Sequence, residues 1–352
     1  MEPAAEIAFA EREDAAGRHD AAIDALARAT KRGDVEAMTR LGKRLLTGDA
    51  APHLPADGAR LLVDAAAAGG AEAAARCAVL AALGAYVAQS WGDALEMLVL
   101  AAERGSSDAR GVLAALSPHA AARDAASDAA RWRESARAID LRAWLTALPT
   151  HALRQDPVVR SVPAVVTGSV AQWLIGRTVG RLERARVYDG FAGDEAASEQ
   201  RTNRAASFSL AEVDFAQVLL QARMAAICGV PLGQLEAPAI LHYDVGEQIT
   251  DHFDFVDPRT PHYAEQLAKH GQRVITFLVY LNDDYDGGET AFPRIGVEHK
   301  GRCGDGLFFV NVLPTREPDL RTAHAGRPPT RGEKWVVSQF IRDRRVLDTP
   351  RG

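Results

Sequence analysis

The first 120 positions of the chain carry apolar residues at helical spacing, in stripes that are separated by glycine. One stripe passes through Leu62 and Ala65 and ends at Gly69, and a second begins at Ala73. Apolar residues three and four positions apart predict amphipathic helices, and glycine readily adopts the left-handed conformation that ends a helix. This part of the chain therefore predicts short helices that follow one another in pairs.

The helical pattern recurs every 36 residues over three units. Five columns share this spacing: Gly33, Gly69 and Gly105; Glu36, Glu72 and Asp108; Ala37, Ala73 and Ala109; Leu26, Leu62 and Leu98; Ala29, Ala65 and Ala101. Two-helix units at a fixed period predict a stacked solenoid, a fold whose surfaces typically bind peptides or proteins. Residues 20–118 resemble the Sel-one-like branch of the tetratricopeptide repeats. The alternative is an alanine-rich helical bundle in which the columns coincide by accident.

From about residue 160 the pattern changes to short apolar runs that are rich in Val, Ile and aromatic residues. The clearest runs predict strands at Ala239–His242, Val274–Leu281, Leu307–Leu313 and Lys334–Ile341, and helical stripes lie before them at Ser169–Ala185 and Leu210–Ile227. Strands without long helices between them favour an antiparallel sandwich or barrel. The sequence thus predicts two domains: an all-α repeat domain over residues 1–155 and a mainly-β domain with flanking helices over residues 156–352.

Composition and charge narrow the class of protein. The 352 residues carry a formal net charge of −6 without a basic cluster, which argues against binding to nucleic acid or to an anionic membrane surface. No apolar stretch approaches the ~18 residues of a membrane span, and the acidic start of the chain does not resemble a signal peptide. The three cysteines form no C-x-x-C pair. We therefore expect a cytoplasmic protein; the sequence does not indicate its oligomeric state.

The candidate chemistry lies around His252 and Asp254. On a strand these two side chains point to the same face, and His324 is a candidate third ligand from elsewhere in the chain. Two histidines and one carboxylate are the ligand set of iron(II) oxygenases, which leaves three coordination positions open. Lys334 opens an apolar strand and would supply a positive charge for a dicarboxylate beside such a site. An H-x-D pair alone is weak, because hydrogen-bonded pairs without a metal are common.

Five motifs in a fixed order strengthen this hypothesis. They are Tyr243-x-x-Gly246-x-x-x-x-x-His252-x-Asp254, Arg273-Val-Ile-Thr-Phe-Leu-Val-Tyr-Leu-Asn282, Gly287-Gly288-Glu289-Thr290-x-Phe292-Pro293, Gly304-Asp305-Gly306 and His324-Ala-Gly-x-Pro-x-x-x-Gly332-x-Lys334-Trp335. With Arg201-Thr202-Asn203 upstream, residues 162–343 resemble the prolyl 4-hydroxylase branch of the iron(II)- and 2-oxoglutarate-dependent oxygenases.

The resemblance implies a double-stranded β-helix, a jelly-roll-like pair of sheets, in which His252, Asp254 and His324 hold Fe(II). It also implies that Lys334 binds the distal carboxylate of 2-oxoglutarate with help from Tyr243 and Thr290, and that Arg273 contacts a peptide substrate. The implied reaction uses O₂ and 2-oxoglutarate, hydroxylates a C–H bond and releases succinate and CO₂. Ascorbate is the reductant that the family commonly needs.

Two positions depart from the family pattern and leave the substrate open. Ile249 stands where the prolyl hydroxylases usually have tyrosine, and Phe340 stands where they usually have tryptophan. The leading hypothesis is hydroxylation of a prolyl or other residue in a peptide or protein that the helical repeats recruit. One alternative keeps the chemistry and changes the substrate to a small molecule or a non-proline residue. Another is a repeat scaffold with a non-catalytic, oxygenase-like sensor domain.

Overall fold

The computed structural model describes residues 2–117, 129–185, 187–189, 194–196 and 201–346. The chain divides into two compact units, one of Met1–Leu141 with Ser209–Leu219 and one of Arg142–Phe208 with Leu220–Leu347. The first division falls before the predicted boundary after residue 155, because the segment that follows Leu141 includes two strands of the large sheet of the second unit. The sequence predicts Ser209–Leu219 as part of the β domain, whereas the structure places this segment in the first unit.

The first unit is built from helix pairs at the predicted period. Its helices are α1 (Pro3–Ala15), α2 (His19–Lys31), α3 (Val35–Thr47), α4 (Pro55–Ala67), α5 (Ala71–Leu83), α6 (Trp91–Glu103), α7 (Ser107–Leu116) and α8 (Ala129–Arg137), and the short α9 (Leu141–Trp144) follows. Helices α2, α4 and α6 begin 36 residues apart, as do α3, α5 and α7. The two-helix repeat predicted from the glycine and alanine columns is thereby confirmed.

Small residues fix the turn within each pair and the contact between pairs. Gly33, Gly69 and Gly105 take φ values of 81°, 104° and 100°, the left-handed conformation expected where the first helix ends. Between α3 and α4, a Cβ atom on Gly58 would lie 2.6 Å from the carbonyl oxygen of Gly42. The two helices therefore approach at a distance that only glycine permits there.

The segment Ser209–Leu219 packs within the first unit. Asp214 caps the following helix: its carboxylate accepts a hydrogen bond from the Gln217 amide, and the Gln217 side chain accepts one from the Asp214 amide. Helix α11 (Phe215–Cys228) therefore begins at Phe215, five residues later than predicted. The Arg76 guanidinium donates to the Val213 carbonyl at 2.5 Å.

The second unit is mainly antiparallel β-sheet. Its strands are β1 (His151–Arg154), β2 (Val159–Val162), β3 (Glu183–Arg184), β4 (Val187–Asp189), β5 (Asp194–Ala196), β6 (Arg204–Ser207), β7 (Ala239–Tyr243), β8 (Ile249–His252), β9 (Arg273–Tyr280), β10 (Asp286–Gly287), β11 (Thr290–Phe292), β12 (Val297–His299), β13 (Gly306–Val310), β14 (His324–Gly326), β15 (Pro329–Arg331) and β16 (Lys334–Arg342). Helices α10 (Gly168–Gly176) and α12 (Pro261–His270) flank them.

Two sheets face each other across the core of this unit. The larger has the strand order β1-β2-β13-β9-β16-β7-β6-β3, and the smaller has the order β12-β11-β14-β8. One buried cluster joins Tyr280 and Phe309 of the large sheet to Phe292 of the small one. This arrangement, preceded by helical repeats, confirms the predicted fold class.

Two local predictions were wrong. The helix predicted over Ser169–Ala185 ends at Gly176, and residues 183–184 form strand β3 instead. The strand predicted through Asp254 ends at His252, so Asp254 lies in the loop that follows. Among the described residues, the structure contains no helix whose length and apolar character would suit a membrane span.

Candidate active site

Strands β8 and β14 bring the two predicted histidine ligands together. His252 and His324 are direct cross-strand partners, and their ring centroids lie 4.2 Å apart. Asp254 follows β8 by two residues and turns its carboxylate between them. Asp254 Oδ1 lies 3.4 Å from His252 Nε2, and Asp254 Oδ2 lies 3.2 Å from His324 Nε2. His252 and Asp254 come from β8 and the loop after it, and His324 comes from a strand that is distant in sequence. The three side chains converge on a single point, as the sequence predicts.

Backbone carbonyls orient both imidazoles. His252 Nδ1 lies 2.9 Å from the Thr250 carbonyl oxygen, and His324 Nδ1 lies 3.1 Å from that of Thr322. A carbonyl can only accept a hydrogen bond, so each Nδ1 carries a proton and each ring turns its Nε2 towards Asp254. This fixing of the ring by its second nitrogen is typical of histidine ligands to metals.

A second layer of polar groups holds the carboxylate. The Thr276 hydroxyl donates to Asp254 Oδ2 at 2.8 Å, and the Asn311 amide nitrogen donates to the Thr276 hydroxyl at 3.0 Å. Burial alone would raise the pKa of Asp254, but the neighbouring His324 and His252 hold the pKa of this carboxyl well below its ordinary value. The carboxylate is therefore ionised, and two imidazole nitrogens with one anionic oxygen fit a divalent iron ion.

The site is open on one side. The His252 side chain is 33% exposed, whereas those of Asp254 and His324 are 8% and 6% exposed. Phe292 and Phe309 cover the buried side of His324, with ring centroids 5.5 Å and 4.6 Å from it. Among the three ligand side chains, that of His252 is therefore the one most accessible to solvent or to a second molecule.

Lys334 is a buried cation that forms no ion pair in the described part of the chain. It begins β16, pairs with Tyr243 across the sheet and is 2% exposed. Its Nζ lies 5.1 Å from the ring centroid of Tyr243 and 5.8 Å from that of Tyr280, and no ion pair joins it to any carboxylate of the described chain within 4.0 Å. Burial lowers the pKa of this ammonium to about 7. An ammonium in such surroundings favours an anionic ligand.

Hydroxyl groups surround the lysine. Thr290, which is 2% exposed, places its hydroxyl 3.0 Å from that of Tyr280. Tyr243 is also buried, and a Cβ atom on Gly326 would lie 3.3 Å from its hydroxyl. Tyr280 was not predicted as a site residue, because it ends a strand whose apolar run looks like ordinary core. Its cross-strand position becomes visible only in the folded sheet.

The glycine pair before Thr290 has a structural reason. A Cβ atom on Gly288 would lie 2.7 Å from the Tyr285 ring and 3.4 Å from Cδ of Lys334. Gly288 also has a φ of 71°, which disfavours other residues. The glycine therefore allows this loop to pass close beside the lysine.

Arg273 lies at the far end of the same strands. Its guanidinium donates to both carboxylate oxygens of Glu236, at 2.7 Å and 2.9 Å, and stacks 3.7 Å from the ring centroid of Phe340. Phe340 is the cross-strand partner of Thr276, so its ring points to the same face as the hydroxyl that bonds Asp254. Ile249 is buried against Tyr243. The substrate role of Arg273 remains a prediction.

A second group of possible ligands lies away from these residues. His242, Asp244 and Glu247 place ligand atoms within 4.8 Å of one another. His242 Nε2 lies 2.7 Å from a Glu333 carboxylate oxygen and its ring stacks on Trp335, while Asp244 pairs with Arg204. These contacts explain the cluster without a metal: a buried histidine is hydrogen-bonded to a carboxylate, and Asp244 forms an ion pair.

Comparisons with known proteins agree with this geometry. Residues 238–342 match the family model of the 2OG-Fe(II) oxygenase superfamily. The chain is 36% identical over 129 residues to probable prolyl 4-hydroxylase 9 of Arabidopsis thaliana. This match covers 32% of this chain and 43% of that protein. It is 31% identical over 164 residues to prolyl 4-hydroxylase subunit alpha-1 of Gallus gallus, a match that covers 47% of this chain and 31% of that protein.

The chain thus spans less than half the length of both relatives. Among solved structures, the 2OG complex of the viral collagen prolyl hydroxylase from Paramecium Bursaria Chlorella virus-1 shares 22% identity, with a TM-score of 0.40, over 52% of this chain and 94% of that one. Residues 238–342 therefore form a 2OG-Fe(II) oxygenase domain whose sequence relatives include prolyl 4-hydroxylases.

Proposed function

We propose that the second unit is an iron(II)- and 2-oxoglutarate-dependent dioxygenase that hydroxylates a C–H bond and releases succinate and CO₂. One observation carries the proposal: the Nε2 atoms of His252 and His324 lie 3.4 Å and 3.2 Å from the two carboxylate oxygens of Asp254. Both imidazoles donate through Nδ1 to a backbone carbonyl, which leaves Nε2 of each ring available to a metal. Two imidazole nitrogens and one carboxylate directed at one point form a ligand set that suits a divalent ion.

The ligand set leaves room for a cosubstrate. The three protein ligands would fill half of an octahedral coordination sphere, and iron(II) bound there would supply O₂ activation coupled to the oxidative decarboxylation of a chelating 2-oxo acid. The remaining task of the chain is to bind and orient that acid and to keep water away. His252 marks the open side, through which substrate would approach.

Lys334 orients the cosubstrate. Its buried ammonium would neutralise the distal carboxylate of 2-oxoglutarate, while Thr290 and Tyr243 supply hydroxyl donors beside it. Since each of these groups is buried before the ligand arrives, the chain has already met most of the desolvation cost. The keto acid end is then directed towards His252 and His324.

We further propose a prolyl residue of a peptide or protein as the target and ascorbate as the reductant. The prolyl 4-hydroxylase relatives support the target, and the Arg273 guanidinium on Phe340 offers a polar surface on the same face as Thr276. The two-helix repeats of the first unit would recruit the peptide, since such solenoids typically bind extended chains. A cytoplasmic location fits the reduced cysteines.

Ile249 and Phe340 favour a second candidate with the same chemistry. Both are apolar where the relatives' motif has groups that can form hydrogen bonds, and Ile249 is buried against Tyr243. A small molecule or a non-proline residue is therefore the alternative substrate. A non-catalytic sensor, the remaining hypothesis, would still use the ligand set but release no product.

Succinate formation separates these functions. The full chain with iron(II), ascorbate, O₂ and 2-oxoglutarate should release succinate slowly without substrate and faster with a proline-rich peptide, which should gain 16 Da. His324→Ala should abolish both. Wild-type protein that binds iron(II) but yields no succinate would leave only the sensor, and undiminished output from His324→Ala would contradict the proposed site.

A further inference from the structure

His299 faces the same interior as the predicted cosubstrate residues. It ends β12, where it is the direct cross-strand partner of Thr290. The preceding pair on the same face is Phe292 and Val297, of which Phe292 is fully buried and packs against the His324 ring. Cross-strand partners project to the same side of a sheet. The imidazole of His299 therefore points into the site and not towards solvent on the outer face.

The inner edge of this imidazole has no partner in the part of the chain that the structure describes. His299 Nε2 is buried and has no hydrogen-bond partner among the described residues. Its ring stands edge-on to Tyr280 at a centroid distance of 5.8 Å, and the Tyr280 hydroxyl already bonds Thr290. Lys334 Nζ lies 5.8 Å from the same tyrosine ring. The unpartnered His299 nitrogen and the Lys334 ammonium, which forms no ion pair among the described residues, thus both lie near one buried tyrosine.

Buried polar atoms are nearly always hydrogen-bonded, and an unpaired one is costly. Burial lowers the pKa of His299, which leaves the ring neutral with one N–H to donate. The missing acceptor has to come from a ligand, and a ligand that suits this part of the site must accept from an N–H and neutralise the Lys334 ammonium. A carboxylate satisfies both requirements, since its two oxygens can accept from different donors.

We propose that His299 is a further binding residue for the cosubstrate, with Nε2–H donating to the distal carboxylate of 2-oxoglutarate that Lys334 neutralises. This inference rests on the proposed function. It adds a donor from β12 to a pocket otherwise formed by β7, β11 and β16. It also predicts that the chain distinguishes 2-oxo acids by the presence of the second carboxylate.

The test is a binding measurement that needs no turnover. The full chain is loaded with Mn(II), and the dissociation constants of 2-oxoglutarate and of oxalate are measured by calorimetry. Oxalate chelates a metal in the same way but has no distal carboxylate. The variants are His299→Leu, which removes the donor, His299→Gln, which keeps a nitrogen donor at a similar reach, and His151→Leu, a control at an exposed position of β1.

His299→Leu should weaken 2-oxoglutarate binding by about tenfold or more, the effect of losing one hydrogen bond to a charged group. Its oxalate affinity should stay within about twofold of wild type, and His299→Gln should recover most of the 2-oxoglutarate affinity. If His299→Leu weakens the binding of both ligands equally, or of neither, the role of His299 is overturned while the proposed function stands. Wild-type protein that binds neither ligand would instead contradict the proposed function itself.

Discussion

The Thr276 hydroxyl donates a hydrogen bond to Asp254, with 2.8 Å between Oγ1 and Oδ2, and thereby fixes the carboxylate that lies between the two histidines. Asn311 extends the contact by donating to the Thr276 hydroxyl at 3.0 Å. Because Thr276 is on β9 and Asn311 follows β13, the large sheet sets the orientation of a ligand that a loop of the small sheet supplies. The metal affinity should therefore depend on residues that do not touch the metal.

Replacing Thr276 tests this dependence. Thr276→Val keeps the shape of the side chain and removes the hydroxyl, so the carboxylate loses its donor and iron(II) affinity should fall by about 10- to 100-fold, as is usual for outer-shell partners. Thr276→Ser should retain most of the affinity. A competition titration with a metal chelator measures both, and equal affinity in Thr276→Val and wild type would exclude the positioning role.

Lys334 should make cosubstrate binding depend on pH. The pKa of the free lysine in the fold is about 7 because of burial, whereas a bound carboxylate requires the charged form. Above pH 7, binding of 2-oxoglutarate should therefore take up a proton, and its affinity should fall as the pH rises. Calorimetry of the Mn(II)-loaded chain at pH 8.5, in two buffers of different ionisation enthalpy, measures this uptake. Lys334→Met should show neither the uptake nor tight binding.

The same lysine should affect the stability of the protein without ligands. Since burial lowers its pKa from 10.5 to about 7, the unfolded chain binds more protons than the fold between these two values. Its contribution to the free energy of unfolding should then rise with pH across this window and be smallest below pH 7. Urea titrations at pH 6.5 and pH 9 should show this rise in wild type and a smaller one in Lys334→Met. If the free energy of unfolding changes equally with pH in both proteins, Lys334 is not a buried, uncompensated lysine.

Phe340 should affect substrate binding and spare cosubstrate turnover. The Arg273 guanidinium stacks on the Phe340 ring, with Cζ 3.7 Å from the ring centroid, and Phe340 is the cross-strand partner of Thr276. Phe340→Ala removes this stacking, so the KM for a proline-rich peptide should rise by about fivefold, the scale of a cation–π contact. Succinate formation without peptide should stay near the wild-type rate. A peptide KM that does not change would favour the small-molecule or non-proline substrate.

Gly58 should be critical for the repeat unit. A Cβ atom there would lie 2.6 Å from the Gly42 carbonyl and from the Leu46 amide nitrogen, and neither backbone atom can move without shifting a helix. Gly58→Ala should lower the free energy of unfolding by about 1–3 kcal/mol. Gly92→Ala is the matched control in α6, where the nearest atom is 4.0 Å away; helix propensity should make it neutral or slightly stabilising. Equal denaturation midpoints for the two variants would contradict close packing of α3 on α4.

The sequence predicts those parts of the molecule in which the residue types needed for a role also recur or stand at a recognisable spacing. The glycine and alanine columns specify the 36-residue helix pairs, and the polar residues His252, Asp254 and His324 stand out against apolar neighbours. Tyr280, Thr276 and His299 were missed, because their roles arise from cross-strand register that no local pattern encodes. The apolar stripe after Ser169 continues past Gly176, but the chain turns there and enters strand β3.

The most direct test of the central claim is an anaerobic titration of the iron(II)-loaded full chain with 2-oxoglutarate, followed by visible absorption. A 2-oxo acid that chelates iron(II) through its keto and carboxylate oxygens gives a charge-transfer band. The account predicts this band in wild type, with one equivalent of iron per chain, and its loss in His252→Ala and in Asp254→Ala. Absence of the band from wild type that retains iron, or an undiminished band in both variants, would contradict the site formed by His252, Asp254 and His324.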